Sequence, residues 1–374
     1  MYITDILKEA YVLEENLVTI LCSGVALGVY IPALLLNYQL KTNGLKTDVI
    51  VLESLYSDEK KRKILENKKA FHNNFSVAKI GHKIAGDITQ NIDHNLLKEL
   101  FDNWKSGNRE KFIIFSGFWI PIIDAYRNII APKVIQVDLV HMDAELSASW
   151  RSYKSDASQY NHIWLYSWEN KKILHEIRVT DLQQIPYEER ENRLVIHGGG
   201  WGMGTYQDYI KELEQAGIGL DIVTYNWEET KKDINNGKFY MVDPSWCSWI
   251  KNKEGHYEFP PFGEVKGNQL SIMSNKEYHG IFDTIRKSKA IVSKPGGATL
   301  LDSLASATPI IMLEPLAKYE QANADLWEYL GFGIPYEKWA QSNFSFNLLH
   351  KLHSNLIAAK SKLIDYGGKY AAAN

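Results

Sequence analysis

The sequence has little cysteine: Cys22 and Cys247 are the only two among 374 residues. Two cysteines exclude a disulfide scaffold and a cysteine-rich zinc site, and their scarcity is typical of a reducing compartment. An excess of one charge is also missing, since 42 Lys and Arg stand against 45 Asp and Glu. A balanced chain has no global attraction to nucleic acid or anionic lipid. Residues 1–16 are acidic rather than basic, so we expect no signal peptide. We expect a cytoplasmic protein without a nucleic-acid partner, with peripheral membrane association as an open alternative.

Long uncharged stretches are rare, and one of them needs an explanation. Residues 17–36 carry no charge over twenty positions, which meets the length rule for a membrane helix. However, Gly24, Gly28 and Pro32 interrupt this stretch and would have no role in a membrane span. We interpret it as a β-strand, a glycine loop and a helix in that order, with Pro32 in the first helical turn.

The rest of the chain alternates β-rich runs with amphipathic helical segments. Such alternation is typical of parallel βαβ units. The rhythm breaks at the polar segment 185–192 and then restarts. We therefore expect a doubly wound first domain over 1–188, a second over 189–345, and C-terminal helices over 346–374. Ligands in such folds bind at the carboxyl ends of strands, so the predicted site is a cleft between the domains.

The strongest chemical signal is a glycine turn in the second half. A β-rich run ends in Pro295-Gly296-Gly297, and we expect a helix to begin at Ala298 or Thr299. Glycines let a phosphate approach the backbone, and a helix N-terminus offers free N–H groups and the positive end of the helix dipole. The turn therefore predicts a phosphate-binding site.

Polar residues that suit a sugar follow this turn. Asp302 lies one turn into the helix, where its carboxylate can accept a hydrogen bond from a ribose hydroxyl. The next β-rich run leads to Glu320, Gln321 and Asn323 at the start of another helix. These side chains offer the donors and acceptors that sugar hydroxyls require.

The segment resembles the donor-binding signature of GT-B glycosyltransferases. MurG-type and diacylglycerol-glucosyltransferase-type enzymes are the most similar in pattern, with the wider UDP-glycosyltransferases behind them. The residues that carry the resemblance are Lys294, Pro295, Gly296, Gly297, Ala298, Thr299, Asp302, Pro309, Glu320, Asn323, Ala324, Gly331 and Gly333. The resemblance implies that the four residues 296–299 hold a donor diphosphate, that Asp302 stands at the ribose position and that Glu320 contacts the donor sugar. Tyr319 departs from the usual Asp or Gln, which leaves the sugar open.

Two more segments of the second half fit this resemblance. A glycine loop follows its first β-rich run, as at the start of the family's second domain, and permits close backbone approach. The loop glycines are Gly199, Gly200, Gly202 and Gly204. Met273 and Tyr278 precede the diphosphate helix, where the family binds the nucleotide base.

The first half resembles the family more loosely. Its loop with Gly24 and Gly28 has the outline of the family's first loop, whose glycines face the donor phosphate or the acceptor, but it lacks the His or Asp that many members carry there. An inverting transferase needs a base for the acceptor's proton. The candidates follow predicted strands: His141, Asp143, Glu53 and Asp124. We rank His141 and Asp143 first because the carboxyl end of their strand faces the cleft.

The resemblance implies a GT-B fold, with two Rossmann-like domains facing a central cleft and C-terminal helices that pack back on the first domain. It also implies transfer of a sugar from a nucleotide diphosphate donor, UDP-linked, to a small-molecule acceptor with inversion. No HExxH or CxxC motif and no acidic loop with calcium-site spacing occurs, so we expect no metal and no cofactor beyond the co-substrate. The sequence leaves the oligomeric state open.

Three other functions remain open at this stage. A GT-B nucleotide-sugar epimerase would use acidic residues and a His around the donor sugar. A non-catalytic donor-binding homologue would explain the missing His of the first loop. A lipid glycosyltransferase at a membrane surface would use the basic residues at 60–63 and 68–69, but acidic neighbours such as Glu66 favour a solvated helix face.

Overall fold

The computed structural model describes residues 17–84, 91–273 and 275–374, so the expectation for residues 1–16 lies outside the described part. The first half is built on a parallel sheet of short apolar strands. They are β1 (Val18–Cys22), β2 (Thr47–Val51), β3 (Lys111–Ile114), β4 (Gln136–His141) and β5 (Asn161–Trp164). Their order is β2-β1-β3-β4-β5. All of β1 is buried, as a parallel sheet covered on both faces requires.

Helices cover both faces of this sheet. They are α1 (Leu27–Thr42), α2 (Asp58–Asn73), α3 (Phe75–Ile84), α4 (His94–Ser106), α5 (Ile120–Ile130), α6 (Ala148–Ser152) and α7 (Lys154–Ala157). A small antiparallel hairpin follows, formed by β6 (Tyr166–Ser167) and β7 (Lys172–Ile173).

Helix α1 begins earlier than the sequence predicts. Its first residue is Leu27, after Ala26 in an extended conformation, so Pro32 lies inside the helix rather than in its first turn. Proline has no N–H, and the carbonyl of Gly28 therefore receives no bond from the residue four positions later. Nine residues of α1 are buried, and this packing stabilises the helix despite the missing bond.

The second half contains a larger sheet. Its strands are β8 (Glu191–Ile196), β9 (Gly219–Thr224), β10 (Gly237–Val242), β11 (Phe262–Lys266), β12 (Gln269–Met273), β13 (Ser288–Ser293), β14 (Ile310–Met312) and β15 (Gly333–Pro335). Their order is β12-β11-β10-β9-β8-β13-β14-β15. All neighbours are parallel except along the hairpin strand β11, which pairs antiparallel with β10 and β12.

Helices alternate with strands in the second half and also form the C-terminal segment. They are α8 (Tyr206–Gln215), α9 (Ile281–Lys287), α10 (Gly297–Ser306), α11 (Lys318–Leu330), α12 (Tyr336–Gln341), α13 (Phe346–Lys360) and α14 (Tyr366–Ala373). Of the C-terminal helices expected on the first domain, α14 lies there, with the Tyr366 hydroxyl donating to Asp138 at 2.6 Å. Helix α13 lies on the second domain instead, because its apolar residues Leu349 and Leu352 belong to that domain's core.

The predicted linker at 185–192 is anchored rather than free. Its Arg190 guanidinium is buried and donates to the carbonyls of Ile185, Ser288 and Ser306 and to the Thr308 hydroxyl, at 2.6–3.2 Å. Strand β8 begins at Glu191, inside this predicted segment. The chain therefore enters the second domain at a fixed point.

One apolar core is common to both halves. Leu34 and Leu35 of α1 belong to the same buried cluster as Leu300 and Leu304 of α10. The domains therefore meet through packed side chains as well as through polar contacts. Within the described ranges, no helix has the length and apolar character needed to cross a membrane.

Candidate functional site

The turn between β13 and α10 has the predicted form, with the helix starting one residue early at Gly297. Gly296 occupies the N-cap position in an extended conformation and offers no side chain to cap the helix. Among the described residues, none accepts a hydrogen bond from the amides of Gly297, Ala298 or Thr299. Uncapped amides at a helix N-terminus attract anions, and here they remain available for one.

A buried ion pair stands beside this turn. The Lys294 ammonium donates to the Glu320 carboxylate, whose second oxygen accepts from the amide of Leu316 at 2.7 Å. A Cβ on Gly296 would lie 3.4 Å from Lys294 Nζ, so the glycine lets the cation sit against the turn. The sequence alone assigns no role to Lys294, although a basic residue two positions before the glycines could have been recognised as part of the turn. Glu320, expected at the donor sugar, is 2% exposed and engaged by Lys294.

The first domain covers the turn. A Cβ on Gly297 would lie 2.5 Å from the carbonyl oxygen of Met142 and 3.2 Å from Asp143 Oδ1. Asn323 joins the two sides: its amide nitrogen donates to Asp143 Oδ1 at 2.8 Å, and its oxygen accepts from the amide of Ala144 at 2.7 Å. The structure thus brings Asp143, Gly297 and Asn323 together where the first domain contacts the α10 turn.

The Asp143 carboxyl has unusual acidity for an aspartate. Burial raises its pKa to about 7; the bond from Asn323 and the charge of Lys294 oppose this rise, whereas the charge of Glu320 adds to it. A pKa near neutrality is well matched to a general base at physiological pH. Among the four base candidates, Asp143 is the one that contacts the α10 turn.

His141 is directed into the first domain. It is 1% exposed, its Nε2 lies 2.8 Å from Nδ1 of His162, and its ring stacks on Trp164 with centroids 4.1 Å apart. Burial and the neighbouring His162 lower its pKa to about 3. The residue is therefore neutral at physiological pH, and its observed contacts are with the first domain.

Glu53 and Asp124 have structural partners. Glu53 accepts from the Ser23 hydroxyl and the Gly24 amide, both at 2.6 Å, and burial raises its pKa although these two bonds oppose the rise. Asp124 accepts from the side chains of Tyr160 and Gln159 within the first domain. Both carboxylates therefore stabilise loops of the first domain.

Comparison with known proteins rests on the fold alone. No family model and no curated protein sequence matches the chain. Among solved structures, MurG of Acinetobacter baumannii aligns with 96% of this chain and 98% of its own at a TM-score of 0.54 and 11% identity. SnogD, a glycosyltransferase of Streptomyces nogalater, also aligns with 96% of this chain and 98% of its own, at a TM-score of 0.53 and 11% identity. The Streptomyces sp. SF2575 glycosyltransferase SsfS6 was solved with thymidine diphosphate. It aligns with 95% of this chain and 98% of its own, at a TM-score of 0.55 and 12% identity.

The chain has the GT-B fold. This confirms the fold class predicted from the sequence. In this chain the glycine turn before α10 and the glycine loop after β8 both contact the first domain.

The glycine loop after β8 contributes to that contact. Gly199, with φ of +70°, lies near Lys294, whereas a Cβ on Gly200 would lie 2.5 Å from the Leu27 side chain of α1. His72 of α2 donates from Nδ1 to the carbonyl of Gly202 at 2.8 Å and pairs through Nε2 with Glu229 at 2.5 Å. Part of this predicted donor loop therefore binds the first domain.

The first-domain glycine loop is covered in turn by the second domain. The Ser248 hydroxyl donates to the carbonyl of Gly24 at 2.7 Å, and a Cβ on Gly24 would overlap this hydroxyl. The Tyr30 hydroxyl donates to the carbonyl of Glu258 at 2.8 Å. Gly28 remains half-buried with open space around its Cα. The loop between β10 and β11 thus acts as a strap across the glycine loop of the first domain.

The remaining predicted donor residues divide into buried and exposed ones. Asp302 is buried, with Oδ1 2.9 Å from Nε2 of His279, a residue that sequence reasoning missed because nothing local marks it. Met273 ends β12 and is half-buried. Gln321 is exposed and donates to Asp325 on the same helix at 2.8 Å. Tyr278 is buried, with its hydroxyl 3.1 Å from Asp283.

Two further expectations concern metal and membrane. In the described part of the chain, no three His, Cys, Asp or Glu side chains converge in a way that could hold a metal ion. On α2, Lys61 pairs with Asp58 at 3.5 Å and Lys63 with Glu59 at 2.6 Å. These pairs offset part of the basic charge of that surface.

Proposed function

We propose that this chain is a glycosyltransferase that moves a sugar from a nucleotide diphosphate donor, UDP-linked, to a small-molecule acceptor. The observation that carries the proposal is the α10 turn, where three amides without acceptors stand next to the Lys294 ammonium. A diphosphate would satisfy these amides and meet a cation. Support comes from the fold, which the chain shares with SnogD and SsfS6.

The chemistry is a direct displacement at the anomeric carbon. The bond from this carbon to the diphosphate oxygen breaks as the acceptor oxygen or nitrogen forms a new bond on the opposite face, so the configuration inverts. The acceptor's proton passes to the Asp143 carboxylate, whose pKa of about 7 makes it an effective base near neutrality. The α10 amides and Lys294 stabilise the charge of the departing diphosphate without a metal ion.

The proposal also requires the two domains to open. Met142 and Asp143 cover the α10 turn, so a donor reaches the amides only when the first domain separates from it. Closure over the bound donor then returns Asp143 to the reacting atoms and excludes water, which limits hydrolysis of the donor. The second domain holds the donor and the first holds the acceptor.

A binding experiment tests the donor site. Isothermal titration of UDP and uridine into the wild type should give binding of UDP and far weaker binding of uridine, which lacks the diphosphate. Lys294→Gln should weaken UDP binding by about 10- to 100-fold, the range expected for a lost charge-assisted bond. Lys338→Gln, at an exposed pair on α12, is the matched control and should bind as the wild type does.

A double variant controls for the destabilisation that the single substitution causes. Lys294→Gln leaves Glu320 buried without its cation, so Lys294→Gln with Glu320→Gln restores neutrality and should still bind UDP weakly. If UDP and uridine bind alike, or if only dinucleotides such as NAD bind, the donor assignment is wrong.

Turnover distinguishes the other functions. With UDP-sugars and an acceptor panel, we expect a glycosylated product, and Asp143→Asn should lower its rate by about 10²- to 10⁴-fold. Free sugar released without acceptor would favour an epimerase, and UDP binding without any turnover would favour a donor-binding homologue. Flotation with anionic liposomes at low and high salt tests the lipid glycosyltransferase.

A further inference from the structure

The Asn323 side chain lies in the contact between the two domains and is bonded on both sides of it. It is carried by α11 of the second domain and is 0% exposed. Its amide nitrogen donates to Asp143 Oδ1 at 2.8 Å and to the carbonyl of Pro295 at 2.9 Å. Its oxygen accepts from the amide of Ala144 at 2.7 Å. Both N–H groups and the oxygen of this buried amide therefore have partners.

Two of these three partners determine which way the amide points. The Ala144 N–H can only donate and the Pro295 carbonyl can only accept, at any pH. Turning the Asn323 amide over would set N–H against N–H at one end and oxygen against oxygen at the other, so only one orientation satisfies both. In that orientation the remaining N–H is directed at Asp143 Oδ1. Asp143 therefore meets a donor whether or not it carries a proton.

A donor fixed in this way has a defined effect on the Asp143 carboxyl. A hydrogen bond from an N–H stabilises the ionised form of a carboxyl group over the protonated form. The bond from Asn323 accordingly opposes the rise in the Asp143 pKa that burial causes. The same amide holds the carbonyl of Pro295, directly before the Gly296 N-cap of α10. One side chain thus connects the base to the turn where we place the departing diphosphate.

We propose that Asn323 is the positioning residue of this site: when the domains close, its locked amide presents an N–H to Asp143, which keeps the carboxylate ionised and held beside the α10 turn. The inference rests on the proposed function and assigns the second-domain group that prepares the base. The bond occupies Oδ1 of Asp143, so the acceptor's proton goes to Oδ2. A direct displacement needs its base and its leaving group in fixed relative positions, and Asn323 contacts the segments that carry both.

Titration of the Asp143 carboxyl carbon by ¹³C NMR tests this role without any substrate, and Asp143→Asn identifies its signal. Asn323→Leu keeps a side chain of similar volume but has no N–H, so the proton affinity of Asp143 should rise by about 10- to 100-fold. A purely structural role predicts the opposite, because loss of the domain contact would admit water to the carboxylate and lower its proton affinity. Asn103→Leu, at an exposed amide on α4, is the matched control and should titrate as the wild type does.

Turnover gives a second readout of the same role. In the pH profile of kcat/KM with a UDP-sugar, the acid limb of Asn323→Leu should lie at higher pH than that of the wild type. Asn323→Asp keeps an oxygen for the Ala144 amide but places a second carboxyl group beside Asp143. Two neighbouring carboxyl groups share a proton, so the acid limb of this variant should lie higher still.

The outcomes separate this inference from the proposed function. If Asp143 titrates in Asn323→Leu at the wild-type pH or below it, the positioning role is refuted. Should Asn323→Leu not fold, as judged by circular dichroism, the NMR titration of Asn323→Asp decides the question by the same criterion. If the wild type transfers no sugar, the proposed function fails, while the titrations still decide whether Asn323 controls the ionisation of Asp143.

Discussion

Replacing Asp143 by asparagine should stabilise this protein in a pH-dependent manner. The half-buried carboxyl lies where the two domains meet, and its pKa is raised from the ordinary 3.8 to about 7. When the pKa of an acid is higher in the folded than in the unfolded state, the free energy of unfolding falls as the pH rises from the unfolded-state pKa to the folded-state pKa. Above the folded-state pKa it no longer changes with pH. An asparagine carries no charge at any pH and avoids this loss, and its side-chain oxygen can still accept the bond from Asn323.

The magnitude follows from the size of the pKa difference. At about 1.4 kcal/mol for each tenfold change in proton affinity, a rise from 3.8 to about 7 corresponds to about 4 kcal/mol. This is an upper value, because the Asp143 side chain is partly exposed and solvent screens its charge. The free energy of unfolding of Asp143→Asn should therefore equal that of the wild type near pH 4 and exceed it by up to about 4 kcal/mol above pH 7.

Urea denaturation followed by tryptophan fluorescence at several pH values measures this difference. Asp102→Asn, at an exposed carboxylate on α4, is the matched control for the loss of one negative charge and should show no comparable rise. A difference between Asp143→Asn and the wild type that stays constant from pH 4 to pH 9 would refute the account of a buried, proton-binding carboxyl.

Three further changes test the contacts between and within the domains, each by urea denaturation. Gly24→Ala places a methyl group against the Ser248 hydroxyl and should lower the free energy of unfolding by about 1–3 kcal/mol. Adding Ser248→Gly to this variant should restore part of the lost stability, and no rescue would contradict the strap contact. Burial disfavours charged His72, but its bonds to Glu229 and the Gly202 carbonyl outweigh this and raise its pKa above 6.5. His72→Gln should therefore lose about 3 kcal/mol below pH 6.5 and progressively less as the pH rises through the raised pKa, and an equal loss at every pH would contradict the ion pair. Arg190→Met leaves four acceptors without their donor and should cost about 3 kcal/mol, with Arg190→Lys in between; a neutral Arg190→Met would show that the linker needs no anchor.

Local features of the fold could be predicted from the sequence because contiguous residues encode them. The run before Ser293 and the glycines after it specify a strand, a turn and a helix within a dozen positions. The start of α1 is harder to predict, because Pro32 suggests that the helix begins near it. In the structure the proline lies inside the helix, where packing against the second domain compensates for it. Tertiary packing there outweighs the local preference.

The site depended more on contacts between distant residues. His141 and Asp143 lie two positions apart at the end of one strand and are therefore ranked together, yet the ring of His141 stacks on Trp164 whereas the carboxylate of Asp143 lies at the α10 turn. The side chain that meets Asp302 comes from His279, in a segment where no spacing or motif marks a functional residue. Such partners are set by how α9 and α10 pack, which the sequence pattern does not contain.

The apolar cluster that unites α1 with α10 also limits how such a protein can be recombined. Exchanging its first half for that of another GT-B protein would remove Leu34 and Leu35, and Leu300 and Leu304 would then face whatever side chains the foreign half supplies. A change of binding specificity is therefore more accessible through loop substitutions on the intact chain than through hybrids of whole domains.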